Sequence, residues 1–312
     1  GQALLRERLA ALLPGGAQEL RPALVHHSDG ALIVELVECD RREPAPAVHF
    51  ELHGAARAAR DPVALGQVVA RTLRRESGYD RVMIYQFTEE GHGVVVGEEL
   101  REGLEPFLGL CFPDSDIPEQ ARALYLRSRV RVLGDARYTP VPLWPLLNPR
   151  TGRPLDLSQS ALRSMSPVHV QYLLNMGVRA SLVASIVVDG ALWGLIACHH
   201  YEPKLPSEGT RRFAAAAATL LGEGIAAFGA QVAARARRRA DVLGGQISRL
   251  VGSLQSWRLA LLEHADAVLA LLEADSLLLV EDQTFLGCGV VPPVDQLSDL
   301  LAWLGKQQRA SV

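Results

Sequence analysis

Ser181-Leu-Val-Ala-Ser-Ile-Val-Val-Asp-Gly-Ala-Leu-Trp-Gly-Leu-Ile-Ala-Cys-His-His-Tyr201 reads as two apolar strands, Ser181 to Val188 and Ala191 to Tyr201, joined by Asp189-Gly190. A two-residue hairpin loop of type I′ needs positive φ at both central residues, and Asp-Gly meets that need. The spacing places this hairpin at the centre of a sheet. Working outward, Arg81 to Phe87 and Gly93 to Leu100 read as two further strands around the turn Gly91-His92-Gly93, and Arg129 to Leu133 as a short alternating one. Ahead of them, Asp61-Pro62 supplies an N-cap and a first-turn proline for a helix to about Glu76, which Gly78 closes. Strands and helices mixed in this order predict an α+β fold.

The flanks are thinner. Residues 1–60 hold a helix-like start and one clear strand, Ala31 to Val37, too little for a core of their own. The segment from Tyr138 to Ser158 is rich in proline and leucine and lacks either period. Its Val141, Leu143, Trp144 and Leu147 predict an ordered excursion that packs. From Ser207 the pattern is helical through Ala240 and on toward Leu272, forming a spine with the basic run Arg235 to Arg239 on a solvated face. Ser276 to Val280 and Phe285 to Val291 then read as two strands of a domain that stops short, so both ends of the chain are expected to be truncated.

The 312 residues, 48% hydrophobic, suffice for at least one substantial core, and a net charge of −3 gives no reason to expect nucleic-acid or anionic-membrane binding. No run of about 18 apolar residues and no signal peptide is evident, so the chain is expected to be cytoplasmic. Cys39, Cys111, Cys198 and Cys288 lack the paired spacing of a zinc site or disulfide framework and are expected to be reduced thiols. Nucleotide-binding glycine loops, kinase phosphoacceptor boxes and metal-ligand motifs are missing from the sequence.

Three stretches set polar residues inside apolar runs, the pattern of a pocket wall: Phe112-Pro-Asp-Ser-Asp-Ile-Pro118, Arg163-Ser-Met-Ser-Pro-Val-His-Val-Gln-Tyr172 and Leu192-Trp-Gly-Leu-Ile-Ala-Cys-His-His200. Asp116 followed by Glu119 forms a capping-box pattern for a helix through Leu126, a role that needs no ligand. Ser166-Pro167 opens a helix ending near Gly177, with His169 and Tyr172 on one face. His199 and His200 lie on opposite faces of their strand, so at most one points inward. Taken singly, such histidines are as well explained by the core and such arginines by the surface. Together, Arg131 and Arg163 suit two carboxylates. With inward histidines, tyrosines and Phe112, they describe a large, flat, apolar ligand with acidic arms, the shape of a bilin tetrapyrrole.

These stretches, with Asn175-Met-Gly-Val178 and the span from about Asp80 to His200, resemble the chromophore-binding GAF domain of bacteriophytochromes. Residues 1 to about 45 resemble the tail of the phytochrome PAS domain and 245–312 the start of its PHY domain. The resemblance implies an antiparallel sheet flanked by helices in a central GAF domain, 61–240. A partial PAS domain with its linker, 1–60, precedes it, and a helical linker with a partial PHY domain, 241–312, follows. It implies a red/far-red photoreceptor module, not an enzyme, that binds biliverdin and signals through isomerisation at the bilin D ring. The output that the resemblance implies is a histidine kinase with its response regulator. The Asp116 carbonyl and His169 would hold a central water and the pyrrole N–H groups, and Asp116 would also link the chromophore to a signalling tongue. Arg131 and Arg163 would bind the propionates with Tyr125, Ser166 and Ser181, and His199 would bond the D-ring carbonyl. Met83, Tyr85, Phe112 and Tyr172 would shape the volume around that ring, with Ile117 and Pro118 against the ring system. The excursion from Tyr138 to Ser158 would be the family's lasso.

Departures from the family qualify this. Val168 stands where plant and many cyanobacterial phytochromes carry their attachment cysteine, and bacteriophytochromes use a cysteine near their N-terminus, expected upstream and missing here. Strand alternation should turn Cys198 away from the ligand. Asp114 adds charge near the pocket mouth, and Val183 replaces a propionate-side serine. A GAF module that binds another small molecule or only dimerises remains open, as does an enzyme acting on a tetrapyrrole. The helices from Asp61 and from Ser207 each offer an alanine and leucine face for a homodimeric bundle, which packing within one chain explains equally well.

Overall fold

The computed structural model describes residues 20–38, 46–254, 257–281 and 284–308. The chain divides into two compact units, 1–228 and 229–312.

The first unit opens with a hairpin of β1 (Leu20–Ser28) and β2 (Ala31–Glu38), antiparallel and turned at Asp29 and Gly30, both at positive φ. The sequence foretold only the second of these strands, and its helix-like start falls on residues outside those described. An unforeseen helix follows, α1 (Pro46–Ala58), whose Val48 and Leu52 are buried in the main core. Next comes α2 (Pro62–Ser77), capped as expected. The Asp61 carboxylate accepts the Ala64 N–H at 2.8 Å, and Gly78 turns off the helix at φ 64°.

The sheet has six strands in the order β5-β4-β3-β8-β7-β6, every neighbouring pair antiparallel. Its members are β3 (Arg81–Phe87), β4 (Gly93–Leu100), β5 (Cys111–Phe112), β6 (Val130–Leu133), β7 (Ala180–Val188) and β8 (Ala191–His200). The β7–β8 hairpin occupies an interior position, as its apolar runs require. Alternation then divides the sheet. Val82, Ile84, Leu182, Ala184, Ile186, Ile196 and Cys198 face one way, into a core with Leu65, Val69 and Leu73 of α2 and with Phe213, Ala217 and Leu221. Each large aliphatic side chain buried there is worth roughly 1.5–3 kcal/mol. Met83, Tyr85, Val95, Val183, Leu195 and Ala197 face the other way and form a second, smaller cluster. That second face carries the site.

Close approach of strands explains one glycine. A Cβ on Gly194 would stand 2.2 Å from the Tyr85 carbonyl oxygen, a backbone atom in the middle of the sheet. Gly194→Ala is therefore expected to destabilise the protein by about 3 kcal/mol, the upper part of the usual overpacking range. A urea midpoint unchanged from the parent would contradict this reading.

Over the second face lie a 3₁₀ turn, Asp114–Asp116, then α3 (Glu119–Arg127) and α4 (Pro167–Asn175). Two capping expectations are corrected here. The N-cap position of α3 is Pro118, not Asp116, and no side chain caps it, because the 3₁₀ turn has already carried the Asp116 carboxylate elsewhere. Ser166 does sit at the N-cap of α4, yet its hydroxyl makes no capping bond.

The excursion between Tyr138 and Ser158 has no helix or strand, and its apolar side chains do not pack as expected. Trp144 is 93% exposed and Val141 84%. Polar bonds to the β1–β2 hairpin order it instead. Asn148 Nδ2 donates to the Asp29 carbonyl and Arg150 Nη1 to that of Gly30, both at 2.9 Å, while the Asp156 N–H donates to the Asp29 carboxylate at 3.0 Å. Just beyond, the buried Glu35 carboxylate accepts the N–H groups of Ala161 and Leu162 at 3.0 and 2.6 Å.

A long helix, α5 (Glu208–Leu254), starts in the first unit. Its span Glu208–Gln246 is long and apolar enough to cross a membrane by length and composition, contrary to the sequence expectation. Phe213, Ala214, Ala217, Ala218 and Leu221 account for much of that character, and they are buried in the core. The basic run Arg235 to Arg239 is exposed throughout, a solvated face as expected.

In the second unit the helical pattern does not run unbroken to Leu272. The described break lies at His264, between α6 (Trp257–Glu263) and α7 (Ala265–Leu272), and Glu273 ends the latter at φ 52°. Strands β9 (Ser276–Glu281) and β10 (Thr284–Gly289) pair antiparallel, close to their expected bounds, and a helix the sequence reading lacked, α8 (Val294–Gln308), follows.

Candidate functional site

Odd-numbered positions of β3, β7 and β8 put Met83, Tyr85, Ser181, Val183, Leu195, Ala197 and His199 on the second sheet face, where they floor a cavity of about 70 Å³. Phe112 of β5, Asp116 and Ile117 of the turn, Tyr125 of α3, and His169, Tyr172, Leu173 and Met176 from α4 and its C-terminal end complete the wall. Ten of the side chains singled out in the sequence thus meet in one place: Met83, Tyr85, Phe112, Asp116, Ile117, Tyr125, His169, Tyr172, Ser181 and His199.

Four of them do not line the cavity: Pro118, Arg131, Ser166 and Arg163. Arg131 is on the expected face of β6 and only 4% exposed, but its guanidinium is spent on loop carbonyls. Nη1 donates to Ser160 and Ala161 at 2.8 and 3.3 Å and Nη2 to Arg163 at 3.3 Å. Burial, then the nearby Arg163 charge, pulls its pKa down to about 10, so it stays cationic at neutral pH. Arg163 opens into a separate cavity of about 710 Å³, shared with Arg127, Arg129 and Arg211 beyond β6. That cavity is larger and is lined by one histidine, His26, and one tyrosine, Tyr138, but it lacks the cluster of aromatic rings that frames the smaller one, which is therefore the better candidate.

Phe107 was missed by the sequence reading, yet it lines the cavity. The available signal was a lone aromatic in the charged loop Arg101-Glu-Gly-Leu-Glu-Pro-Phe107, just ahead of the Phe112 motif. Its ring lies 6.3 Å from Phe112, which lies 6.0 Å from Tyr85. The first pair is edge-to-face and the second tilted, and together they give the site its apolar, π-rich wall.

The polar groups are electrostatically distinct. His199 is 8% exposed, and burial, then the charge of Arg81 and His169, pushes its pKa down to about 3. It is a neutral imidazole at working pH, one nitrogen a donor and the other an acceptor. Its Nδ1 has no hydrogen-bond partner among the described residues. A buried polar atom left so costs about 1–3 kcal/mol, which a ligand with a complementary group would recover. Burial, then Arg131, also lowers His169, opposed by the Asp116 carboxylate. Its ring stacks with Tyr172 at 6.2 Å. Burial and the Asp116 carboxylate push the Tyr85 phenol up to about 12 and raise Tyr172 as well, so both remain neutral hydrogen-bonding groups. Cys198, by contrast, is 1% exposed in the opposite core, where burial raises its thiol pKa and leaves it inert.

The residues fit a bilin by chemistry: a neutral imidazole with an unpartnered Nδ1, a carboxylate and five Phe and Tyr rings around an apolar floor. The volume fits only if the wall yields, since pockets for drug-sized ligands span about 300–1,000 Å³. On the side away from the sheet the wall is lightly packed. α3 has no buried residue and α4 only Leu173. α3 is tied down by few polar contacts, among them the Ser185 hydroxyl donating to the Tyr125 carbonyl at 2.8 Å.

The sequence pattern of the GAF domain matches residues 61–225. A bacteriophytochrome of Xanthomonas campestris pv. campestris (strain 8004) is 53% identical over 175 residues, 56% of this chain and 27% of that protein. This chain therefore spans only about a quarter of that relative. The crystal structure of a bacteriophytochrome from the photosynthetic bacterium R. palustris superposes with a TM-score of 0.83 at 33% identity, over 94% of this chain and 59% of that one. A crystal structure of the chromophore-binding domain of an unusual bacteriophytochrome from the same organism gives a TM-score of 0.66 at 37% identity, over 70% and 72%.

Proposed function

The chain belongs to the GAF domain family and forms part of a bacteriophytochrome photosensory module, and from that premise we propose that it is a red/far-red light sensor that binds biliverdin. The observation that carries this reading is the buried, neutral His199 with its unpartnered Nδ1, set in an aromatic wall on the second sheet face. When bound, a bilin supplies visible absorption and photoisomerisation. The protein supplies the rest. His199 offers a hydrogen bond to a carbonyl at the D-ring end. Asp116 and His169 hold the bilin's N–H protons. Tyr85, Phe112 and Tyr172, with Met83 and Phe107, confine the space around that end. Ile117 and Pro118 pack beside the ring system.

Arg131 and Arg163 flank Tyr125, whose phenol both charges influence. We assign them, with Tyr125, Ser166 and Ser181, to the bilin propionates. That assignment requires Arg131 to exchange its loop carbonyls for the ligand as the wall opens. Val168 offers no sulfur and Cys198 faces the core, so neither position is assigned a covalent attachment.

The module is read as a sensor, not a catalyst. Output through a histidine kinase and its response regulator, a homodimer along α2 and α5, and a cytoplasmic location complete the proposal.

Opening and closing of the wall is testable. Loading with biliverdin should raise hydrogen-exchange protection by about tenfold or more across residues 112–127 and 166–176, with little change in β7 and β8. Protection unchanged in those two segments would contradict the proposed site.

A further inference from the structure

Arg81 shares the site face of β3 with Met83 and Tyr85 and stands across from His199 in the β3–β8 register. Its guanidinium, 1% exposed, forms a buried ion pair with the equally buried Glu98 carboxylate. Nη2 also donates to the Glu105 carbonyl at 2.6 Å, and the planar group lies under the Phe107 ring, 3.7 Å from Cζ to the centroid. The other Glu98 oxygen accepts the N–H groups of Phe107 and Leu108 at 2.8 and 2.9 Å. Gln67 of α2 holds the backbone of Glu98 from behind, donating to its carbonyl at 2.9 Å.

The four contacts that Arg81 and Glu98 make to the loop between β4 and β5 fall on residues 105–108. The rest of that loop is largely exposed, and Phe107 is its sole contribution to the cavity wall. A buried ion pair is an unreliable source of stability, since apolar residues of similar volume often serve as well. What this pair does that an apolar one would not is grip two loop amides and lay a flat cation against one aromatic ring.

We propose that Arg81 and Glu98 are positioning residues of the chromophore site, which fix Phe107 against the bound bilin and thereby slow the return of the light-converted form in darkness. This rests on the photoreceptor reading. Neither residue touches the ligand; their positioning effect runs through Phe107, separate from the charge by which Arg81 already acts on His199 and which Glu98→Gln and Arg81→Lys both leave in place.

The test uses the whole chain loaded with biliverdin, with dark relaxation followed by absorbance after red light. Glu98→Gln keeps the shape and removes the charge, and it should accelerate relaxation about tenfold while bilin uptake stays within about twofold. Phe107→Leu should accelerate it comparably. The decisive result is the double variant, where Glu98→Gln added to Phe107→Leu should change the rate by less than about twofold, because its route of action is gone. An undiminished effect of Glu98→Gln in the Phe107→Leu background would overturn the proposal.

Should Glu98→Gln fail to fold, Arg81→Lys keeps the cation and loses the flat stack, and the same comparison with Phe107→Leu applies. A parent chain that photoconverts, with both Glu98→Gln and Arg81→Lys relaxing at the parental rate, overturns this proposal alone. A parent chain that takes up no bilin overturns the photoreceptor reading with it.

Discussion

Replacing His199 by alanine should leave biliverdin bound but shorten the lifetime of the light-converted form by about tenfold. The reasoning starts from the imidazole's state. Buried and neutral, with Nδ1 unpartnered among the described residues, it can serve a ligand carbonyl or N–H without titrating anywhere near neutral pH. One such bond contributes about 0.5–1.5 kcal/mol net, and about 1.4 kcal/mol is a factor of ten in a rate. His199→Gln can restore a hydrogen bond from a similar position and should recover part of the lifetime. Equal dark relaxation in His199→Ala and the parent chain would remove His199 from the site's function.

Asp116→Asn should lower the pH at which the bound bilin loses its proton by about 1–3 units. A carboxylate lining the cavity favours the cationic, protonated form of a ligand beside it and so raises that ligand's pKa. Asparagine preserves the shape and the main-chain carbonyl while deleting the charge. The sign follows: as pH is raised, the strong red band should fade earlier in the variant than in the parent. The change is read from an absorbance titration, and coincident midpoints would show that the Asp116 carboxylate does not influence the chromophore.

The sheet and the site were legible in the sequence to different depths. Alternation put His199 and His200 on opposite faces of β8 and turned Cys198 away from the ligand, while the family resemblance, not the alternation, chose His199 and placed Met83 and Tyr85 beside it; the structure brings these three together and buries Cys198 in the opposite core. Alternation also put Arg131 on the correct face, yet it could not say where a long guanidinium ends. The loop at 160–163 offers three carbonyls within reach, and only the tertiary structure reveals them.

Local motifs misled where a neighbour intervened. Asp116 and Glu119 have capping-box spacing, but Pro118 starts the helix and the 3₁₀ turn takes Asp116 away. Trp144 and Val141 suggested packing by their character alone, whereas the excursion is held by the Asn148 and Arg150 side chains donating to carbonyls of the β1–β2 turn, 119 and 120 positions distant in the chain. Phe107 had no periodic signal. Its inward position comes from Arg81 and Glu98, two charged residues that a sequence reading would leave on the surface.

The claim that this cavity makes the chain a light sensor is tested most directly by the absorbance spectrum of the chain mixed with biliverdin, recorded before and after red light and again after far-red light. The expected result is a red-absorbing band that red light converts to a far-red one and far-red light restores. A spectrum identical to that of free biliverdin, or one that light leaves unchanged, would contradict it.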